Sequence, residues 1–239
     1  MKKWALRIVR WTRNLFLTLF ILSLFFVLLY KYVPVYYTPL MLTRSIEQLK
    51  KNKKIRMVHQ WVPLSNISPN LIQAVVASED NLFLIHTGFD FDQIEIAQQE
   101  AAKGRRLRGA STISQQTAKN VFLFPDRSWV RKGLEAYFTI LIEFVWGKER
   151  IMEVYLNSIE TGEGLFGAQA VAKAHFNKTA DMLTVSDAAL IAASLPNPRE
   201  FNSAEPSAYL LKRQVKIISL MSKIMPVDFD KLHQKEKEK

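Results

Sequence analysis

The hydrophobic pattern of the 239-residue chain has two parts of different character. The first is an apolar run without charge from Leu15 to Tyr30, interrupted only by Thr18 and Ser23. At ~1.5 Å per helical residue the run is roughly 24 Å long, close to the hydrocarbon thickness of a bilayer. The rest of the chain places apolar residues mostly at helical spacing, between turns marked by Gly and Pro. The pattern predicts one membrane-spanning helix followed by a mainly α-helical domain.

The residues around the apolar run predict its orientation. Five basic residues precede it, and the first acidic residue of the chain is Glu47. This bias leaves the N-terminus in the cytoplasm and sends the domain across the membrane. A cleaved signal peptide is the alternative, but residues 33–37 offer no small-residue cleavage site, so we expect a retained anchor.

The domain boundaries follow from these signals. We expect a cytoplasmic basic tail at 1–14, an anchor at 15–33, a linker at 34–55, one folded domain at 56–226 and a solvated tail at 227–239. The pattern predicts a short strand near 56–62 and a helix that begins at Pro69 with Ser68 as its cap. It also predicts a loop over 91–108 and a helix that starts near Ser111. Further helices are expected from about Ser128 to Trp146, after Gly147, up to about Phe176, from Thr184 to Pro196 and from roughly Pro206 to Met225. The predicted core stripe of helix 128–146 consists of Val130, Leu134, Tyr137, Phe138, Leu141 and Phe144.

Composition excludes several classes of function. The formal net charge is +11, but residues 1–46 carry seven Lys or Arg and no acid, which leaves 26 basic against 22 acidic residues elsewhere. A nucleic-acid partner therefore has little support, while anionic lipid is compatible with the excess. The chain has no cysteine, so disulfides and thiol chemistry are excluded, and its four His have no metal-ligand spacing.

Two carboxylates are candidate site residues. Glu79 follows Val75 by four positions on an apolar helix face, where desolvation would make it a better base. The alternative is that Glu79 only caps its helix or forms a local ion pair. Glu135 lies four residues after Arg131, with Arg127 one turn earlier. These residues form either an ordinary surface ion pair or a buried site that binds phosphate.

A polar segment lies between the two carboxylates. Thr112, Gln115, Gln116 and Lys119 fall at spacings of three, four and seven, and this predicts one donor-rich helix face. The segment contains no acid from Gly109 to Pro125. Residues 103–108 carry four cations, which we interpret as part of a mobile, membrane-proximal loop or as an ordinary solvated charge run.

Four ordered motifs carry a resemblance to a known family. They are Glu79-Asp80-x-x-Phe83-x-x-His86-x-Gly88, Gly109-Ala110-Ser111-Thr112-Ile113-Ser114-Gln115-Gln116-x-x-Lys119-Asn120, Arg131-Lys132-x-x-Glu135 and Lys148-x-x-Ile151-Met152-Glu153-x-Tyr155-Leu156-Asn157. Over residues 60–225 the chain resembles the family-51 peptidoglycan glycosyltransferases. The resemblance implies a mainly α, lysozyme-like glycosyltransferase domain with head and jaw lobes, which polymerises lipid II into β-1,4-linked glycan with release of undecaprenyl pyrophosphate.

The resemblance also implies residue roles. Glu79 matches the general base that deprotonates the acceptor hydroxyl, and Glu135 matches the carboxylate of the donor site. Asp80, Phe83 and His86 would shape the base. The donor subsite would be lined by Ser111, Gln116, Lys119, Asn120, Arg127, Arg131 and Lys132. Thr112 and Gln115, on the predicted donor-rich face, are further candidate substrate-binding residues. No cofactor is firmly implied, although Mg²⁺ or Mn²⁺ at the donor pyrophosphate is compatible with the chemistry. Thr161 departs from the pattern, because relatives often have an aromatic residue there.

The chain has no Ser-x-x-Lys motif, so the resemblance is to the monofunctional type without transpeptidase activity. We expect it in the inner membrane, with a periplasmic catalytic domain that contacts lipid II, the growing glycan and a transpeptidase of the wall-synthesis machinery. Two other classes stay open. A lysozyme-like enzyme would cleave glycan with one Glu, and an inactive membrane-tethered scaffold would bind without turnover.

Overall fold

The computed structural model describes residues 2–104, 109, 111–126 and 128–237. It contains two compact units, one ending at Pro34 and the other beginning at Val35. Within the described residues, the secondary structure consists of helices, short 3₁₀ turns and one small sheet. The expectation of a mainly α fold is therefore confirmed.

The first unit is built on helix α1, Lys2–Tyr32. Its 31 residues correspond to roughly 46 Å of helix. The helix is longer than the predicted anchor of 15–33 because it continues through the basic N-terminal residues. By length and composition, it is the one helix among the described residues that can cross a membrane.

The second unit contains the remaining elements. The helices are α2 Pro39–Lys50, α3 Pro69–Glu79, α4 Phe91–Ala102, α5 Ile113–Phe122, α6 Trp129–Ser158, α7 Ala168–Phe176, α8 Val185–Ser194, α9 Ala208–Met221 and α10 Phe229–Lys237. The strands are β1 Val58–His59, β2 Glu160–Gly162 and β3 Leu165–Phe166, in the order β1-β3-β2. The 3₁₀ turns are Leu64–Asn66 and Ala180–Met182.

Helices α3, α8 and α9 pack against one another and form one part of the core. The start of α3 is fixed as predicted, since Ser68 Oγ accepts from Asn70 N at 3.3 Å and Pro69 opens the helix. The start of α8 is fixed by the predicted capping box between Thr184 and Asp187. The small residues of α8 allow this helix to be buried over most of its length.

Helices α5 and α6 form the second part of the core. Helix α6 is kinked at Gly147, where φ is 75° and ψ is 170°. The predicted core stripe of α6 is wrong in part, because Val130, Leu134 and Phe144 are exposed while Tyr137, Phe138 and Leu141 are only half-buried. The buried positions of its first half are instead Glu135, Thr139, Ile142 and Trp146.

The small sheet sits where two glycines let the backbone approach closely. A Cβ at Gly164 would lie 2.2 Å from the carbonyl oxygen of Arg56, and one at Gly167 would lie 2.6 Å from that of Asn157. The buried side chain of Asn157 joins the same region by bonding both backbone groups of Val62. These contacts attach the chain before α3 to the end of α6.

Three predictions about irregular segments differ from the structure. The predicted loop at 91–108 is helix α4 up to Ala102, because Asp90 caps it by accepting from Gln93 N at 2.9 Å. Residues 105–108 lie outside the described residues. The predicted linker at 34–55 contains α2, which is capped by Thr38 and buries Leu40 and Met41. The predicted solvated tail contains helix α10.

The kink in α6 makes a stability prediction. An alanine Cβ at position 147 would have open space, but the backbone there (φ 75°, ψ 170°) is almost exclusive to glycine, so we expect Gly147→Ala to destabilise the fold by about 1–3 kcal/mol. Gly133 lies in the helical part of α6 with nothing within 4 Å, so Gly133→Ala should stabilise by about 0.5–1 kcal/mol. Urea unfolding of both variants checks this. Equal effects of the same sign would contradict the account of the kink.

Candidate active site

The candidate base lies at the last position of α3. Gln116 Nε2 of α5 donates to Glu79 Oε2 at 3.1 Å. Gln116 is itself oriented by its neighbours, because its Oε1 accepts from Tyr155 OH at 3.4 Å and its Nε2 also reaches Ser111 O at 3.4 Å. The amide therefore presents its donor to the carboxylate.

Burial decides the ionisation of this carboxyl group. Desolvation raises the pKa of Glu79, while the hydrogen bond from Gln116 and the charges of Arg213 and Lys119 oppose that rise. The neighbouring charge of Asp80 adds to it. Tyr155 is fully buried beside both carboxylates, and burial raises its pKa well above the ordinary value, so it stays a neutral donor. The site thus holds a carboxylate with increased proton affinity, which suits a general base.

Asp80 has a different role from its neighbour. It is buried, and its carboxylate oxygens lie 2.9 and 3.0 Å from His86 Nε2. His86 Nδ1 accepts from Gly88 N at 3.0 Å, which assigns the ring proton to Nε2 and makes His86 a donor to Asp80. Asp80 Oδ2 also accepts from Ile113 N at 2.9 Å. Asp80 therefore joins the loop after α3 to the first residue of α5.

The capping box of α5 changes the predicted donor face. Thr112 Oγ1 accepts from Gln115 N at 3.1 Å, and Gln115 Oε1 accepts from Thr112 N at 3.0 Å. Both side chains are buried, and Thr112 also donates to Gly88 O at 2.7 Å. The prediction that Thr112 and Gln115 share a free donor face with Gln116 and Lys119 is wrong, because the two side chains are used to start the helix.

A cavity of about 180 Å³ opens beside the base. Its lining includes Glu79, Asp80, Ser111 and Thr112, and Leu220 of α9 lies on its wall. Phe83, the remaining residue predicted to shape the base, is fully buried. Its ring packs edge-to-face with the ring of His86, with 6.4 Å between the ring centres. The structure thus brings together the predicted residues of the first motif.

A second cavity of about 240 Å³ is lined by Gln116, the residue that donates to Glu79. Its lining includes Gln116, Lys119, Asn120 and Arg131 from the predicted set. Burial lowers the pKa of Lys119, Glu135 opposes that shift, and Arg131 and Lys132 add to it. This cavity presents several cations in a partly desolvated setting, as a phosphate-bearing ligand requires.

The pairing of Glu135 differs from the predicted one. Its side chain is buried and accepts from Lys132 Nζ at 2.5 Å. Arg131 instead holds the chain before α6, because its Nε donates to Phe124 O at 3.0 Å and its Nη1 to Asp126 O at 2.9 Å. The predicted contact of Arg131 with Glu135 is therefore replaced by Lys132 with Glu135. Arg127 lies outside the described residues.

Three charged residues near these cavities were not predicted from the sequence. Arg44 of α2 and Glu160 of β2 line the second cavity, with Arg44 Nε at 2.8 Å from Glu160 Oε2. Arg213 of α9 affects the charge of Glu79. Arg44 and Glu160 are 116 positions apart, so no local pattern relates them. Among the described side chains, no group of three His, Asp or Glu is arranged to hold a metal.

A desolvated carboxylate close to a cavity lined with cations is an arrangement suited to an enzyme of group transfer, in which a base and an anionic leaving group are both needed. The sequence comparisons give the family. A family model described as transglycosylase matches residues 44–222, and the chain belongs to this family. Its domain is lysozyme-like, as expected.

Curated relatives match over nearly the whole chain. A biosynthetic peptidoglycan transglycosylase of Bacteroides thetaiotaomicron is 56% identical over 236 residues, covering 98% of this chain and 95% of the relative. Proteins of the same description from Bdellovibrio bacteriovorus and Chromohalobacter salexigens are each 50% identical, over 217 and 192 residues. The first match covers 91% of this chain and 87% of the relative, and the second covers 80% and 82%.

The raised pKa of Glu79 has a consequence for stability. The folded state binds this proton more tightly than the unfolded state, so the associated stability is present below the ordinary Glu value of 4.5 and is lost as pH rises through the folded value. Glu79→Gln should therefore be more stable than the wild type at pH 7, because the amide has no charge to desolvate. This difference in stability should disappear at acid pH, where Glu79 is protonated and also carries no charge.

Thermal unfolding from pH 4 to 8 measures this difference. Glu163→Gln is the matched control, because Glu163 is exposed and its pKa is lowered by Lys53. A Glu79→Gln variant that is less stable than the wild type at pH 7 would contradict the desolvation argument.

Proposed function

We propose that the protein is a peptidoglycan glycosyltransferase that polymerises lipid II in bacterial cell-wall synthesis, with Glu79 as its base. The observation that supports it most is the arrangement around Gln116, which donates to a desolvated carboxylate and also lines a cavity that contains several cations. Acceptor deprotonation and departure of pyrophosphate need these two environments close together. The names of the relatives agree with this assignment.

The reaction divides between the two cavities. The acceptor's GlcNAc 4-hydroxyl lies beside Glu79, which takes its proton as the oxygen attacks C1 of the donor's MurNAc. The bond from C1 to the pyrophosphate oxygen breaks, its electron pair leaves with undecaprenyl pyrophosphate, and the configuration at C1 inverts. Gln116 keeps Glu79 ionised and aimed, and Asp80 fixes the start of the helix that carries Gln116.

The leaving group lies in the second cavity. Lys119, Arg131 and Lys132 neutralise its charge, and Glu135 holds Lys132 in place. Mg²⁺ or Mn²⁺ would be held here by the phosphates of the substrate together with a carboxylate, either Glu160 of the cavity wall or the nearby Glu135, which is a common way to bind Mg²⁺. Such an ion would add to the positive charge. Loss of activity with EDTA, restored by either metal, would show that an ion is needed.

The substrate is a membrane lipid, and the second unit has a surface suited to a bilayer. Trp129, Ile140 and Phe144 lie on one side of α6 and are 92%, 58% and 89% exposed. A row of large exposed apolar side chains marks an interaction surface. We place this row in the lipid interface, on the same helix that carries Glu135.

The proposed role of Glu79 as the base can be tested by substitution. Glu79→Gln should reduce polymerisation of labelled lipid II at least a hundredfold, since removal of a general base costs about 10²–10⁴ in rate. Glu163→Gln should keep wild-type activity. Glycan length on a gel checks the product. Shortening of preformed glycan without use of lipid II would instead indicate the lysozyme-like reaction, and no turnover by the wild type would indicate a scaffold.

The proposed orientation of the chain in the membrane can also be tested. We propose an inner-membrane protein with a cytoplasmic N-terminus, a periplasmic catalytic unit and a transpeptidase partner. Because the chain has no cysteine, single cysteines report position cleanly. A membrane-impermeant maleimide should label Glu205→Cys but not Arg7→Cys in spheroplasts with intact membranes. The reverse labelling would contradict the orientation, and purification without any transpeptidase after crosslinking would count against the partner.

A further inference from the structure

A buried charged cluster lies behind the candidate site. Ser114 Oγ donates to Glu143 Oε1 at 2.5 Å, and Lys148 Nζ donates to the same oxygen at 2.7 Å. Ser114 is fully buried, and the side chains of Glu143 and Lys148 are each 10% exposed. The mechanism described above uses none of these three residues.

The kink in α6 brings the members of this cluster within reach of one another. Lys148 follows Glu143 by five positions, and in a regular helix such residues point about 140° apart. The non-helical backbone of Gly147 turns Lys148 back, so that its ammonium reaches Glu143. The kink and the ion pair therefore form one structural unit.

The cluster touches the first motif from behind. Lys148 Nζ lies over the ring of Phe83, 4.8 Å from its centre, and Phe83 packs against His86. Glu143 lies against Gly88, where an added Cβ would be 3.0 Å from Glu143 Cγ. The loop that contains His86 thus rests on Glu143 and Lys148 at two points.

The cluster also touches the helix that holds the base. Ser114 is in the first turn of α5, directly after Ile113, whose N–H is bound by Asp80. Gln116 is two positions further and donates to Glu79. A shift of Ser114 would therefore move the amide that keeps Glu79 in position.

A buried ion pair usually adds little to the free energy of unfolding, because removing both charges from water is costly. Burial lowers the pKa of Lys148 because the charged form loses solvation, although the nearby charge of Glu143 opposes this. Apolar residues of similar volume commonly stabilise a core as well or better. The ion pair of Glu143 and Lys148 instead fixes relative positions. Oε1 of Glu143 binds both Ser114 of α5 and Lys148 of α6, and the two side chains contact the loop that contains Phe83 and Gly88.

We propose that Ser114, Glu143 and Lys148 are positioning residues for the glycosyl transfer, which fix the first turn of α5 and the ring of Phe83 and thereby hold Gln116 and Asp80 against Glu79. This inference rests on the proposed function. The three residues need not touch the substrate, so their effect should fall on the rate of the chemical step more than on substrate binding.

The test uses the full chain with Glu143→Gln and Lys148→Met combined, which leaves no unpaired charge. The matched control combines Lys178→Met and Asp187→Asn, a lysine–carboxylate pair at 2.5 Å between the end of α7 and the start of α8. With lipid II as substrate we expect kcat to fall about 10- to 100-fold with KM changed less than threefold. The control should retain kcat within about twofold, and circular dichroism should show both variants folded.

A second readout does not depend on turnover. The ¹³C-detected pKa of Glu79 should be higher in the site variant than in the wild type, because the Gln116 hydrogen bond that lowers it is weakened. Wild-type kcat, an effect on KM alone, or an unchanged Glu79 pKa in the folded site variant would overturn the inference. If the wild type does not polymerise lipid II, the proposed function fails, and the Glu79 titration still decides the positioning role.

Discussion

The carboxylate of Asp80 is the contact on which the rest of the site depends. It receives the N–H of Ile113 at the start of α5 and the Nε2–H of His86 from the loop after α3. A carboxylate at a helix N-terminus is favourable because the first N–H groups of the helix have no other partners. Once Asp80 fixes that start, the direction of every later α5 side chain is set. Gln116 then points to Glu79, and Lys119, one turn on, points to the second cavity. One buried acid, Asp80, therefore positions the side chain that contacts Glu79, its neighbour in the chain.

The two sides of α5 are made chemically different by what packs there. On one side, burial raises the pKa of Glu79. Glu135 is also buried, but it pairs with Lys132 and acts electrostatically on Lys119. Two carboxylates in unlike environments suit unlike roles, and under the proposed mechanism one is the base and the other holds charge. Gln116 both donates to Glu79 and lines the second cavity, so the mechanism can place acceptor and donor close together without a direct pair between Glu79 and a lysine.

The sequence predicted the elements whose signals are local. Ser68, Pro69, Thr184 and Asp187 act within one helical turn, and the structure has them as helix starts. The loop prediction for 91–102 was wrong because the mixed apolar and acidic positions after Asp90 obscure the helical period that this cap begins. The stripe on α6 was wrong in part because Glu135 and Thr139 are buried where an apolar pattern expects Val130 and Phe144. Other contacts depend on tertiary structure and produce no periodic pattern in the sequence. Examples are the ion pair of Arg44 with Glu160 and that of Glu143 with Lys148 across the kink.

The most direct test of this account is the ionisation of Glu79, measured by ¹³C NMR and compared with the acid limb of the rate profile for lipid II polymerisation. Both should give one pKa above the ordinary Glu value, and in Gln116→Leu both should move to higher pH together, because a hydrogen bond that favours the ionised form is lost. A Glu79 pKa at or below the ordinary value would contradict the account. So would an acid limb that does not follow Glu79 in the variant, since another group would then be the base.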